Sequence, residues 1–398
     1  MTSWEIYKLS EIANISTGFP FAGEKYAKEG IRVVRGDNVT IGALRWDYDK
    51  LKCWNEPFAR ADEFSLMSGD IVVGMDGSRV GLNRAQVKET DLPLLLAQRV
   101  ACIRHNEKTT QDFLYYQIFS ERFVKYIKQV QTGTSIPHVS LKQIGGFEVS
   151  LPSLEQQQRI AGILGAIDDK IENNRRINDN LEQQAQALYK QWFVDNRNND
   201  WEEKPLSEIV FFQEGPGIRN WQYVEKKGVR FINIRCINDG DVNVQNANMI
   251  SEDEACGKYA HFLLEPLDIV MSCSGTLGRY AIIRQEHLPL CLNTSVIRFR
   301  PAQCIEDYSF VYGYLSSAEF LNKQEEMACG SVQANFGPTH LKQIKIKVPP
   351  KDYRMKYNNV VMPIINTMLK NRSEINMLSS LRDTLLPKLM NGEIKVSE

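Results

Sequence analysis

Two short loops, Met75-Asp76-Gly77-Ser78-Arg79 and Gly217-Ile218-Arg219-Asn220-Trp221-Gln222, carry guanidinium, amide and hydroxyl groups on backbone punctuated by glycine. Those groups hydrogen-bond base edges: Arg pairs with guanine, Asn or Gln with adenine, and Ser or Thr with either, while further basic and amide groups hold phosphates. Four loops in each half of the chain meet this requirement. In the first half the candidates are Lys25 in the loop after Thr17-Gly18, Arg35, Ser78 with Arg79, and Ser135 with His138. In the second they are Arg219, Asn220 and Gln222, then Arg235, then Ser274 and Thr276, and finally Gln333 with Asn335. A polar side chain in a loop is ordinarily only solvated. These eight loops stand out because they lie between segments that recur in both halves and yet differ from one half to the other.

Other chemistries lack their parts. A DNA adenine methyltransferase needs an Asp/Asn-Pro-Pro-aromatic turn for its flipped base, and Glu56-Pro57-Phe58 and Glu265-Pro266-Leu267 lack the second proline, so any base flipping falls to a partner. Gly257-Lys258 is followed by Tyr259, which rules out a phosphate loop of the ATP-motor type, and Gly275-Thr276-Leu277-Gly278 is short enough to be a turn. Asp70 and Asp268 recur at matching positions before apolar strands and read as turn residues rather than a nuclease pair. The eight cysteines contain no Cys-x-x-Cys pair and the five histidines are scattered. No metal site, no Ser/His/Asp constellation and no cofactor is expected, and the thiols read as reduced structural groups.

The elements that position the loops follow from the whole chain. With 398 residues, 43% hydrophobic and 24% charged, it is a folded protein of two or three domains. Its 48 Lys+Arg and 49 Asp+Glu leave a net charge of −1, so no global basic field advertises nucleic acid, although binding depends on where the positive groups lie. The start has no basic segment leading into an apolar one, and no run approaches a membrane span, which reads as cytoplasmic. An internal repeat divides the chain. Trp4-Glu5 and Leu9-Ser10-Glu11-Ile12 return as Trp201-Glu202 and Leu206-Ser207-Glu208-Ile209, and Leu141-Lys142-Gln143-Ile144 returns as Leu341-Lys342-Gln343-Ile344.

Each half divides into a mixed segment, 1–150 and 196–350, and a helical tail, 151–195 and 351–392. Apolar runs such as Ile31-Arg32-Val33-Val34, Ile71-Val72-Val73, Val229-Arg230-Phe231-Ile232 and Ser295-Val296-Ile297-Arg298-Phe299 predict strands, with one helical stretch near 112–130 and another near 308–321. The mixed segments are therefore α+β globules. In the first tail a heptad seam runs through Ile160, Leu164, Ile167, Ile171, Asn174, Asn178, Leu181, Ala185, Leu188 and Trp192. At an offset of 197 the second seam is Val361, Ile364, Met368, Asn371, Ile375, Leu378, Arg382, Leu385 and Leu389, with Asn174 and Asn371 as coincident polar positions. Pro363 should kink this helix or mark an early turn, and Pro387 should end or bend it near Leu386.

A helix of about 40 residues spans on the order of 60 Å and cannot bury such a seam alone. Its natural partner is its own repeat, giving two long antiparallel helices as a coiled coil between two α+β globules related by a pseudo-twofold. Duplex DNA shares that dyad. The chain resembles the specificity subunits of type I restriction-modification systems. The likeness is carried by Gly133-Thr134-Ser135-Ile136-Pro137-His138, by Asn174-Arg175-Arg176-Ile177-Asn178 leading to Leu188-Tyr189-Lys190-Gln191-Trp192-Phe193, and by Leu381-Arg382-Asp383-Thr384-Leu385-Leu386-Pro387-Lys388-Leu389. At Asn371-Arg372-Ser373-Glu374-Ile375-Asn376 the family pattern has one extra residue.

The resemblance implies two target recognition domains on helical spacers and a noncatalytic subunit that chooses an asymmetric, bipartite site on double-stranded DNA. It also implies two adenine-methylating modification subunits as partners, and ATP-driven restriction subunits through them. Gln156, Gln157, Arg176, Gln184 and Tyr189 are the expected docking residues on the exposed helix face. The alternative is a tandem-repeat scaffold that binds protein or RNA without reading bases.

Overall fold

A computed structural model describes residues 4–58, 60–133, 135–238, 240–328 and 335–396. The chain forms two compact units, Met1–Lys170 with Leu378–Glu398, and Ile171–Met377. Both mix helices and sheets, as the α+β reading requires.

In the first unit a four-stranded antiparallel sheet is ordered Ala13–Thr17, Val100–His105, Ile71–Gly74, Arg84–Gln86. A three-stranded sheet, Cys53–Trp54, Ile31–Val34, Leu94–Leu96, lies in the same unit, and Glu5–Lys8 pairs with Glu148–Leu151. The central strand shows why its sequence is apolar throughout. Ile71 and Val73 join one core with Ile103, Phe113, Phe123 and Ile127, whereas Val72 points the other way into a second core with Val34, Val100 and Leu96. A strand covered on both faces has no polar alternation.

The second unit repeats this plan. Its sheet is ordered Val210–Glu214, Val296–Pro301, Ile269–Ser272, Tyr280–Ile282, and Ile269 and Met271 enter one core while Val270 enters another. A second four-stranded sheet holds Tyr223–Val224, Asn248–Ile250, Val229–Ile232 and Leu290–Leu292, and Glu202–Pro205 pairs with Lys345–Val348. Each expected helical stretch in the globules is two helices. Gln111–Ile118 gives way to Glu121–Val130 because the Ser120 hydroxyl accepts from the Phe123 amide at 3.2 Å and starts a new helix. Ser317 does the same for Ala318–Ala328, accepting from the Phe320 amide at 3.2 Å.

The long helices are Leu154–Tyr189, followed by a π turn at Lys190–Asp195, and Lys351–Met390. Within the first unit Ile160, Ala161 and Leu164 share a core with Leu389 and Met390, and Asp168 accepts from Tyr116 Oη and from Arg382 Nη1, both at 2.8 Å. Within the second unit Asn174 donates to Glu374 at 2.9 Å, Asn371 donates to Asn178 at 2.9 Å, and Asn178 donates to the Met368 carbonyl at 3.1 Å. Partner numbers fall as residue numbers rise, so the pairing is antiparallel. The expected polar seam positions are engaged, with two corrections. Ile365 lies deeper than Ile364, and Arg372 rather than Asn371 takes the buried position after Met368. Pro363 does not mark an early turn and Pro387 does not end the helix, which continues through both to Met390. Both prolines sit on the exposed side while Val361, Ile365 and Leu389 are buried around them, so packing offsets the roughly 3 kcal/mol cost of an interior proline.

Candidate nucleic-acid interface

The loop 75–79 leaves the central strand of the first unit and is zipped to 137–139. Gly77 N donates to Pro137 O and Val139 N to Met75 O, each at 2.9 Å, and Asp76 and His138 form a bridge. The His138 ring hydrogen-bonds the Asp76 carboxylate, which also accepts from Arg99 Nη1 at 3.4 Å. Ser78, Arg79 and Ser135 are left exposed at the tip. Arg99 is a residue the sequence reading missed. It follows the chain's turn at Gln98 with φ of +66°, and its side chain is 73% exposed beside these loops. The available signal was a polar Gln-Arg pair between two apolar strands.

The second unit builds the same zipper with other residues. Ser274 bridges Asn335, and Phe336 N donates to Cys273 O at 2.8 Å, as Val139 does to Met75. Thr276 is exposed; Gln333 lies outside the described residues. Arg235 is exposed in a turn whose carbonyl accepts from Asn238, and Arg279, also missed, donates to Asn238 Oδ1 at 3.4 Å. The structure thus gathers Arg235, Asn238 and Arg279 into one polar cluster.

A third shared feature was invisible in the sequence. Lys25 pairs with Glu56 at 2.9 Å, and Gln222, at the equivalent place, donates to Glu254 at 2.8 Å. Each clamp closes a 3₁₀ turn, Gly23–Lys25 or Asn220–Gln222. Arg219 and Asn220 are exposed on the second turn, while Gln222 is engaged within it. Arg35 braces its own loop, donating to Lys50 O at 3.1 Å and lying over the Tyr26 ring.

On the helices Gln156, Arg176 and Gln184 are exposed, Arg176 paired with Glu172 at 3.1 Å and Gln184 with Asn180. Two expected docking residues are corrected. Gln157 is wholly buried, its Oε1 accepting from Thr109 Oγ1 and Thr110 N at 2.9 Å and its Nε2 donating to Lys108 O and Pro152 O at 3.0 Å. Tyr189 is buried among Phe193, Phe310 and Tyr357, against Gly313, where a Cβ would lie 2.3 Å from its ring. Helical periodicity marked the stripe but not which amide the loop ends would capture. Gln157→Ala should cost about 2 kcal/mol by orphaning buried partners, read as a lower denaturation midpoint with the exposed face unaltered.

The buried carboxylates confirm their structural reading. Asp70 accepts from Arg104 at 2.7 and 2.6 Å and from the Met67 amide, and Asp268 likewise holds Arg300 and the Glu265 amide. Burial, with Asp70 nearby, pushes the Cys102 thiol up to about 12, and burial with Glu214 nearby does the same for Cys273. Among the described residues there is no group of three or more His, Cys, Asp or Glu arranged to hold a metal ion, and no helix long and apolar enough to cross a membrane.

The duplicated chain has known relatives. The chain matches the type I restriction modification DNA specificity domain twice, over residues 1–183 and 198–373. It is 26% identical over 325 residues to the type I restriction enzyme MjaIX specificity subunit of Methanocaldococcus jannaschii, covering 77% of this chain and 74% of that one. It is 23% identical to the HindI specificity subunit of Haemophilus influenzae, covering 99% of this chain and 100% of the relative. In fold it is similar to the type I restriction-modification S subunit from M. genitalium, with a TM-score of 0.60 at 18% identity over 99% of this chain and 97% of that one. Two copies of one recognition domain, each bringing a different set of side chains to the same zipped loops, make this chain a member of the specificity-subunit family of type I restriction-modification systems.

Proposed function

We propose that each unit reads one half of an asymmetric, bipartite site on double-stranded DNA, and that the chain, without catalysis of its own, brings two adenine-methylating modification subunits to that site and restriction subunits through them. The observation that carries the reading is the repeated zipper: the same backbone pairing presents Asp76 with His138 in one unit and Ser274 with Asn335 in the other. A constant frame with exchanged side chains suits two readers of two different sequences. Gln156 in the first unit, and Arg176 and Gln184 in the second, are exposed helix residues available to the modification subunits.

Methylation mapping of the host genome gives the motif, and equilibrium binding to duplexes with either half scrambled tests it. Each scrambled half should lower affinity; equal affinity for all duplexes would leave a scaffold in its place. Arg219→Ala should weaken binding by about 1–3 kcal/mol on one half-site only if the guanidinium reads a base, whereas uniform weakening on every duplex marks a phosphate contact.

A further inference from the structure

The equivalent 3₁₀ turns differ at their tips. Gly23-Glu24-Lys25 carries an acid where Asn220-Trp221-Gln222 carries an indole, and Trp221 is 78% exposed. The turn that carries the ring is held by its neighbours. Gln222 Oε1 accepts from the Arg219 amide at 3.0 Å, its Nε2 donates to Glu254 at 2.8 Å and to the buried Tyr259 hydroxyl at 3.2 Å, and Tyr223 is paired in a strand with Ile250. The backbone is fixed on both sides of an aromatic side chain that faces water. Such a residue loses little freedom when it meets a ligand.

The surroundings say what kind of ligand. Arg219 and Asn220 precede the ring, Lys226 and Lys227 follow it, and all four are exposed. Between 215 and 227 the other large apolar residues, Ile218, Tyr223 and Val224, are half-buried, so Trp221 is an isolated exposed ring in a segment with three exposed cations and one exposed acid, Glu225, rather than part of an apolar patch. A protein partner would favour a patch. An aromatic face flanked by cations suits a base with its phosphates. The segment that leads to the turn leaves the edge that holds the zipped loops: Glu214, the last residue of the strand before it, accepts from Thr294 at 3.3 Å, and the Thr294 carbonyl accepts from Cys273, whose own carbonyl accepts from Phe336 N.

We propose that Trp221 wedges into a base step of the half-site read by the second unit and stacks on the base it partly unstacks, a contact the first unit lacks because Glu24 occupies its place. This rests on the DNA reading above. The test uses the full chain and a duplex bearing the mapped motif, with Trp221→Phe and Trp221→Ala compared with the unsubstituted protein. Trp221→Ala should weaken binding about tenfold and Trp221→Phe no more than about threefold. The difference in tryptophan emission between the unsubstituted chain and Trp221→Phe isolates this indole from the other tryptophans, and it should be quenched by the motif duplex. Unchanged affinity of Trp221→Ala together with unquenched emission overturns the proposal. So does normal DNA binding with weakened capture of modification subunits, which would make Trp221 a protein contact. If the unsubstituted chain fails to distinguish the motif from scrambled DNA, the DNA reading itself falls and this proposal with it. Because the ring is solvent-exposed, the variants should melt with the unsubstituted chain, and a matching thermal profile separates lost binding from lost folding.

Discussion

Asp241→Ala is expected to lower the stability of the second unit by about 3–5 kcal/mol, the cost of removing one partner from a buried ion pair. Asp241 lies in the hairpin Ile237–Asn238 with Asp241–Val242 and accepts both terminal nitrogens of Arg284, at 2.7 and 3.0 Å. Arg284 is only 5% exposed and also donates to Glu286 at 2.6 Å. The long helix closes the cluster: Asn376 donates to Asp241 at 3.2 Å and Ser373 donates to Glu286. Removing the Asp241 carboxylate leaves a guanidinium largely out of water with half its partners. Burial alone would raise the Asp241 pKa, but His287 and Arg284 outweigh it and hold the group well below the usual carboxylate range. A lowered carboxylate pKa contributes stability that is fully present above the unfolded value of about 3.9 and is lost as pH falls through the folded one. Denaturant unfolding should therefore show the widest gap between native chain and variant near neutral pH, closing in acid. A gap that widens in acid would contradict this ion-pair geometry.

The position of that cluster shows where a sequence stops being legible. Ile71-Val72-Val73 and its repeat announce strands because local composition and burial agree, and the recurrence of Leu9-Ser10-Glu11-Ile12 exposes the duplication without any structure. The heptad positions Asn174, Asn178 and Asn371 are legible for the same reason, since helical spacing alone puts them on one stripe. Contacts between residues far apart in sequence are not. Nothing near Lys25 or Gln222 names Glu56 or Glu254, and Gln157 resembles any exposed helix amide until Lys108, Thr109, Thr110 and Pro152 surround it. In the segment with the extra residue, Arg372 fills a buried site beside Gly240, while Ser373 and Asn376 reach the ion cluster. The turn expected at Pro363 and the end expected at Pro387 do not occur, because the burial of Val361, Ile365 and Leu389 around them offsets the local backbone cost. Among the readout candidates, residue type identified Ser78, Arg79, Arg219 and Asn220, while Arg99 and Arg279 emerged only when turns brought them beside those loops.

Exchanging residues 1–150 for the corresponding globule of another specificity subunit should replace one half of the methylated motif and leave the other intact. Affinity for the original site should fall by at least about a hundredfold, because half of the base contacts that raise specific over non-specific binding are lost together. The structure adds a condition that the repeat does not reveal. The first unit includes the end of the second long helix, with Leu389 and Met390 in its core and Leu385, Leu386 and Ile394 packed against it. Gly392, at φ of +76°, lies against the Trp4 ring, with room for a Cβ only at 3.2 Å. An incoming globule must therefore keep a tryptophan or similar ring at position 4 and an apolar surface for Leu389 and Met390. A chimera that breaks these contacts should show a loss of cooperative unfolding before any change of motif. With them preserved, methylation mapping should report a motif changed in one half. A change in both halves, or in neither, would mean that recognition is not divided between the two units.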